Sequence, residues 1–373
     1  MTQETETLFK LLRVALGNEK EVSLPNVVDW EMVFNLSVKQ GIVNIAYDGL
    51  QTLMDAHPND TFGFDNLEME NLRYKWIGYG MCAEQKYNQY VQTIADLAGL
   101  YSSRGYKMLL LKGYGLSLYY PIPAHRPTGD IDIVVFDKEG RYAQQEADAF
   151  FNSNKDFSVT KSRMGHHSHF HYNGSTVENH YEFSNTYRGV KRNHEFEELL
   201  KSICPVGMRE SKMNGNTLYL PSPTLNALFL MWHMATHFCS SEITLRQVCD
   251  WVQFIDKEYD SVDWELVKPA YNKRGMGDFA RAIDRLAVKY FGIKKKVFAE
   301  YSELDDNNAE KIVDDIINPR VYSSFFTRFF RYYKEGWKYK LAFQSNWFKS
   351  LLNSVIVHLF HRDDMKEKNI DEI

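Results

Sequence analysis

Arg126-Pro-Thr-Gly-Asp130-Ile-Asp132-Ile-Val-Val-Phe136 is the stretch on which the reading of the fold turns. Residues 131–136 form a short apolar run behind a Pro-Thr-Gly turn, which predicts a buried strand. On a strand, residues two apart share a face, so Asp130 and Asp132 point one way while Ile131 and Ile133 point the other and can pack. Two carboxylates held side by side repel each other unless a cation lies between them. Oxygen ligands of this kind favour a hard ion such as Mg²⁺, which binds through one or two carboxylates plus substrate phosphates. Taken alone, the Asp-x-Asp pair also fits a turn signal or a solvated edge.

Upstream, Met108-Leu-Leu-Leu-Lys112, bounded by Gly105 and Gly113, predicts another buried strand. A short helix over 116–120 is stopped by Pro121 and Pro123. Residues 140–152 read as helix. Downstream, Asn173-Gly174 lies between two alternating runs and predicts a two-residue hairpin turn. That register pairs Tyr172 with Ser175, Phe170 with Val177 and His169 with Glu178. One face then carries His167, His169, His171, Thr176, Glu178 and His180, and the other Phe170, Tyr172, Val177 and Tyr181. A sheet with one apolar and one ionisable face packs helices behind and presents a site in front. Glu178 is therefore a candidate third carboxylate beside Asp130 and Asp132, and a merely solvated polar face is the competing reading.

Outside this core the pattern is helical. Leu8, Leu11, Leu12, Val14 and Ala15 share a face, Asp29 reads as an N-cap, and 67–103 suggests one or two long helices. After about residue 200 helical periodicity returns and runs to the C-terminus. The expected class is α+β: a small mixed-sheet core over 105–200, flanked by an N-terminal helical region over 1–104 and a C-terminal helical domain over 201–373. The 373 residues are 44% hydrophobic and 25% charged with a net charge of −5, which excludes wholesale disorder and argues against bulk nucleic-acid binding. No apolar run reaches the roughly 20 residues a spanning helix needs. The N-terminus does not read as a signal peptide. The four cysteines form no CxxC pair and no disulfide ladder, so a reducing cytoplasm is expected.

Leu-Lys112-Gly113, Arg126-Pro-x-Gly-Asp130-Ile-Asp132-Ile and Val-Glu178-x-His180-Tyr181 together resemble an uncharacterised bacterial nucleotidyltransferase family within the DNA polymerase beta-type nucleotidyltransferase superfamily. The resemblance covers 108–183 well and extends loosely to His233, His237, Arg246 and Asp250. It implies a nucleotidyltransferase with Asp130, Asp132 and Glu178 as catalytic and metal-binding acids, Mg²⁺ or Mn²⁺ as cofactor and an NTP, ATP included, as co-substrate. An NMP group would pass to a small-molecule or protein hydroxyl, with pyrophosphate released. Lys112, Gly113, Arg126, His169 and His180 are the residues expected to contact the nucleotide. The Gly-Ser common in the superfamily is Gly113-Tyr114 here, and the third acid is Glu. A catalytically silent nucleotide-binding or protein-interaction module on the same fold is the alternative, and a protein partner is left open.

Other signals are weaker. His166, His167, His169 and His171 suggest zinc, but zinc ligand sets draw on several elements. His233-Met-Ala-Thr-His237 lacks the Glu of a metalloprotease helix. The favoured reading of that segment is a helix packed on the core, with Arg246 and Asp250 paired at i, i+4; the alternative puts one of these residues in the cleft. The basic and aromatic run from Phe325 to Phe360 reads as amphipathic helix packed on a neighbour, ahead of a membrane-surface or nucleic-acid role.

Overall fold

The computed structural model describes residues 1–153, 158–161, 166–184, 191–240, 242–293, 307–320, 333–346, 348 and 368–369. Four helices come first: α1 (Gln3–Ala15), α2 (Trp30–Lys39), α3 (Val43–Ala56) and α4 (Leu67–Ser103). Asp29 caps α2 by accepting from the Met32 amide at 2.9 Å, as its position predicts. The segment 67–103 is one continuous helix of 37 residues, opened by the Asn66 side chain accepting from two amides of the first turn. The core follows: β1 (Lys107–Leu110), α5 (Tyr114–Ser117), β2 (Ile131–Phe136), α6 (Gln144–Asn152), β3 (Thr160–Lys161), β4 (His167–Tyr172) and β5 (Ser175–His180). Next are α7 (Lys191–Ile203), β6 (Arg209–Met213), β7 (Asn216–Leu220), α8 (Pro223–Ser240), α9 (Leu245–Glu258), α10 (Trp264–Arg274), α11 (Gly277–Phe291), α12 (Asn307–Ile317), α13 (Gly336–Phe343) and β8 (Lys368–Asn369).

The strands form one mixed sheet in the order β6-β7-β1-β2-β5-β4-β3-β8. β2 is antiparallel to β1 and parallel to β5. The β4–β5 hairpin has the predicted register, with Tyr172 opposite Ser175, Phe170 opposite Val177 and His169 opposite Glu178. Alternation then sorts the side chains. Met108, Leu110, Ile131, Ile133, Val135, Phe170 and Val177 pack against α4 and α6 through Ile94, Ala98, Tyr101 and Phe151. Phe151 and Phe170 stack with centroids 5.2 Å apart, an aromatic pair worth about 0.5–1.5 kcal/mol beyond its buried area. Leu109, Leu111, Val134 and Phe136 face the other way, into the large core shared with the C-terminal helices. Asp132 and Glu178 lie on that second face.

A second hairpin departs from the expectation of helix beyond residue 200. β6 and β7 turn at Asn214-Gly215, both with positive φ (49° and 82°), and β7 pairs in parallel with β1. The turn signal is the one seen at Asn173-Gly174. The strand before it, Arg-Glu-Ser-Lys-Met, is an edge strand rich in charge, so hydrophobic alternation is nearly absent.

Most of the basic and aromatic run from 325 to 360 lies outside the described residues. Within it, α13 packs inward: Tyr339, Leu341 and Ala342 are buried. Lys338 is buried on Asp315 and Glu335 at 2.6 and 3.2 Å. Among the described residues no helix is long and apolar enough to cross a membrane.

Candidate active site

The site sits where the sheet's ionisable face meets α8 and α9. Asp132 and Glu178 are directly opposite each other on neighbouring parallel strands. His180, two residues along β5, shares their face, and its Nε2 donates to Asp132 Oδ1 at 2.9 Å and lies 3.7 Å from Glu178 Oε2. One ligand atom from each of Asp132, Glu178 and His180 falls within 4.8 Å of the others. Asp130 stands outside this tight group, exposed at the mouth of the same cleft.

Lys112 leaves β1 beside these acids. Its ammonium donates to Asp132 Oδ1 and to His233 Nε2, each at 3.1 Å. That bond requires a neutral His233, and burial together with the Lys112 charge pushes the His233 pKa well down. Burial by itself raises Asp132, but Lys112 and His180 hold it below the usual carboxylate range. Glu178 is lowered by its bond with His180, against the opposing effect of burial. Asp130 is raised by partial desolvation and by the charges of Glu178 and Asp132, which outweigh the opposing effects of Lys112 and of a hydrogen bond with Thr176. His180 is disfavoured as a cation by burial, yet its two carboxylate neighbours raise it to about 9. The cluster is thus three acids in mutual repulsion, two of them partly neutralised by Lys112 and His180.

Gly113 follows with φ 65° and ψ −110°, a conformation that glycine tolerates and other residues resist. A Cβ there would collide with the Tyr90 hydroxyl, which donates to the Asp130 carbonyl at 3.4 Å. Helix α4 therefore touches both the glycine turn and the strand carrying the acids.

Arg126 lies on the cleft wall, but its guanidinium is engaged. Nε and Nη2 donate to the two carboxylate oxygens of Asp250 at 2.7 and 2.9 Å, and Nη1 donates to the Pro127 carbonyl at 3.0 Å. Tyr120 also donates to Asp250 at 2.8 Å. The i, i+4 pair expected between Arg246 and Asp250 is absent among the described residues, because the bidentate Arg126 fork takes the carboxylate. His169 is opposite Glu178 in the ladder, while the imidazoles near that carboxylate are His167 at 3.6 Å and His180 at 3.7 Å. Burial and the surrounding imidazoles press His167 down to about 4.

A cavity of about 160 Å³ is lined by Lys112, Gly113, Asp130, Asp132, His233 and Arg246 among others. His233 and Arg246 line this cavity, a placement that spacing alone left undecided. Helix α8 both packs on the core and presents His233 to the cleft.

A model of the uncharacterised nucleotidyltransferase family matches residues 26–292, and the chain belongs to that family. No curated protein matches it. Among solved structures, the chain is similar to an antigenic nucleotidyltransferase-like protein from Paracoccidioides brasiliensis, at 15% identity and a TM-score of 0.31, covering 46% of this chain and 77% of that one.

Proposed function

We propose that the protein is a divalent-metal-dependent nucleotidyltransferase that moves an NMP group from an NTP to a hydroxyl of a small molecule or protein. The observation that carries this reading is the juxtaposition of Asp132 and Glu178 across two strands, with Asp130 at the mouth of the same cleft, in a member of a nucleotidyltransferase family. The donor set fits a Mg²⁺ or Mn²⁺ ion: convergent carboxylates with one imidazole, already drawing cationic side chains to themselves. Asp130, Asp132 and Glu178 would hold the metal, which when bound would offset charge on the attacking and leaving oxygens.

In the transfer, a bond forms between the acceptor oxygen and the α-phosphorus. The bond from that phosphorus to the oxygen bridging it to the β-phosphorus breaks, and pyrophosphate leaves with the electron pair. The acceptor's proton passes to Glu178 and on to water. Lys112 and Gly113 border the space for the phosphates, while Arg126 holds the cleft wall through Asp250. His169 and His180 lie on the same face and would line the nucleotide. The charge of −5 favours a discrete acceptor over a polynucleotide. The free cysteines Cys82, Cys204, Cys239 and Cys249 suit a reducing cytoplasm.

The test is incubation of the full chain with each α-labelled NTP, Mg²⁺ or Mn²⁺, and metabolite and protein extracts. Label transfer should disappear in Asp130→Asn and Asp132→Asn; persistence in both overturns the site. One observation favours a second reading, a silent nucleotide-binding module: Lys112 and His180 already offset the charge of Asp132 without a metal. NTP binding that is indifferent to divalent ions, with no transfer to any acceptor, would select that reading.

A further inference from the structure

We infer that Arg246 is the anchor for the polyphosphate tail of the incoming nucleotide, an assignment that rests on the nucleotidyltransferase reading. A triphosphate entering this cavity meets Asp130 and Asp132 in its lining, so other lining residues must supply positive charge. The other cleft cations are engaged: Lys112 with Asp132 and His233, and Arg126 with Asp250. Arg246 lines the same cavity, is half-buried, and makes no hydrogen bond or ion pair among the described residues. A guanidinium left unengaged beside an acidic cluster offers a planar fork suited to phosphate oxygens.

Its position is also held in advance. Arg246 lies in the first turn of α9, whose start is tied to the N-terminal helices: the Leu245 amide donates to Gln40 Oε1 at 3.0 Å. Thr244 donates to Gln247 Oε1 through both its amide and its hydroxyl, at 2.9 and 2.7 Å. The Arg246 stem passes Gly41, where an added Cβ would stand 3.9 Å from its Cβ and Cδ. His237, facing it from α8, is driven toward the neutral form by burial and by the charges of Lys112 and Arg246, so positive potential gathers at this wall. A residue fixed before the ligand arrives loses less freedom on binding.

The test is calorimetric titration of the full chain, with Mg²⁺, against ATP, inorganic pyrophosphate and AMP. The wild type should bind ATP and pyrophosphate more tightly than AMP. Arg246→Ala should weaken ATP and pyrophosphate by roughly 10- to 100-fold, the range of a charge-assisted hydrogen bond, and leave AMP unchanged. Arg246→Lys should recover only part, since an ammonium lacks the fork. Equal ATP affinity in wild type and Arg246→Lys or Arg246→Ala overturns the assignment, as does a loss for AMP as large as that for ATP. Binding of neither ATP nor pyrophosphate by the wild type removes the nucleotidyltransferase reading along with it. The melting temperature of each variant reports folding, and it should stay at the wild-type value because Arg246 has no partner to lose.

Discussion

Asp132 and Glu178 are partners in the parallel ladder between β2 and β5, so their carboxylates are held side by side by the sheet and not by a loop. Asp132 is almost fully buried. Such a pair is preorganised: its spacing cannot relax to relieve repulsion, and a cation is the available remedy.

Removing one acid should therefore be severe for chemistry. Asp132→Asn and Glu178→Gln should each lower label transfer by roughly 10³-fold, the rate equivalent of the several kcal/mol of charge stabilisation a catalytic metal supplies. Mn²⁺ binding followed by paramagnetic resonance should weaken in parallel. Retained Mn²⁺ affinity in Glu178→Gln would take Glu178 out of the metal set.

Metal binding should be in competition with a proton. His180 is raised to about 9, so at neutral pH its positive charge sits on the two carboxylates. Displacing that proton makes metal affinity climb with pH, by up to about tenfold per unit until His180 titrates. A flat Mn²⁺ affinity between pH 6.5 and 9 would contradict this.

The same group governs the metal-free protein's stability in the opposite sense. His180 is raised on folding from its ordinary 6.5 to about 9. Its stabilisation is complete below 6.5 and is lost as pH rises through 9. Asp132 is lowered from its ordinary 3.8, so its share is present above 3.8 and lost as pH falls. Melting curves in a chelator should show this pair's contribution at its fullest between pH 3.8 and 6.5, and a His180→Gln variant should lose the alkaline decline.

Arg126 and Asp250 make a test of buried charge. Either Arg126→Ala or Asp250→Asn strands a partner in the interior and should cost about 3–5 kcal/mol. Replacing both by apolar residues of similar volume should cost less than either single change. Arg126→Lys should not rescue, because one ammonium cannot reproduce the two parallel bonds at 2.7 and 2.9 Å. Urea unfolding of the four variants measures all of these differences.

Gly113→Ala should lose at least about 1–3 kcal/mol from backbone strain at positive φ, with a further penalty from the collision with Tyr90. Tyr90→Phe in the same chain should recover the steric part and leave the strain. Full additivity of the two substitutions would show that the hydroxyl and the glycine do not meet.

Local patterns were legible in the sequence and distant partnerships were not. The Asn173-Gly174 turn determines its own register, and period-two alternation then places Glu178 and His180 on one face. Asp29 announces α2 because an N-cap acts within three residues. By contrast Arg126 finds Asp250 across 124 positions and Lys112 finds His233 across 121. No spacing rule encodes such a meeting, and the local alternative, Arg246 with Asp250, is the pair that short-range logic prefers. The β6–β7 hairpin escaped because its outer strand has polar residues on both faces, leaving Asn214-Gly215 as the lone cue.

Helix α4 sets a limit on how this protein can be divided. Its first half fits among the N-terminal helices, where Trp76 is fully buried and donates to the Val43 carbonyl at 2.7 Å. Its second half, from Tyr90 to Tyr101, forms the back wall of the sheet. A fragment beginning at Gly105 would keep every acidic residue of the site and yet lose Ile94, Ala98 and Tyr101 from the face on which Met108, Leu110, Ile131, Ile133 and Val135 pack, leaving α6 to cover it alone. Such a piece would aggregate, so expression trimmed to the recognisable motifs would discard the shaft on which they are mounted.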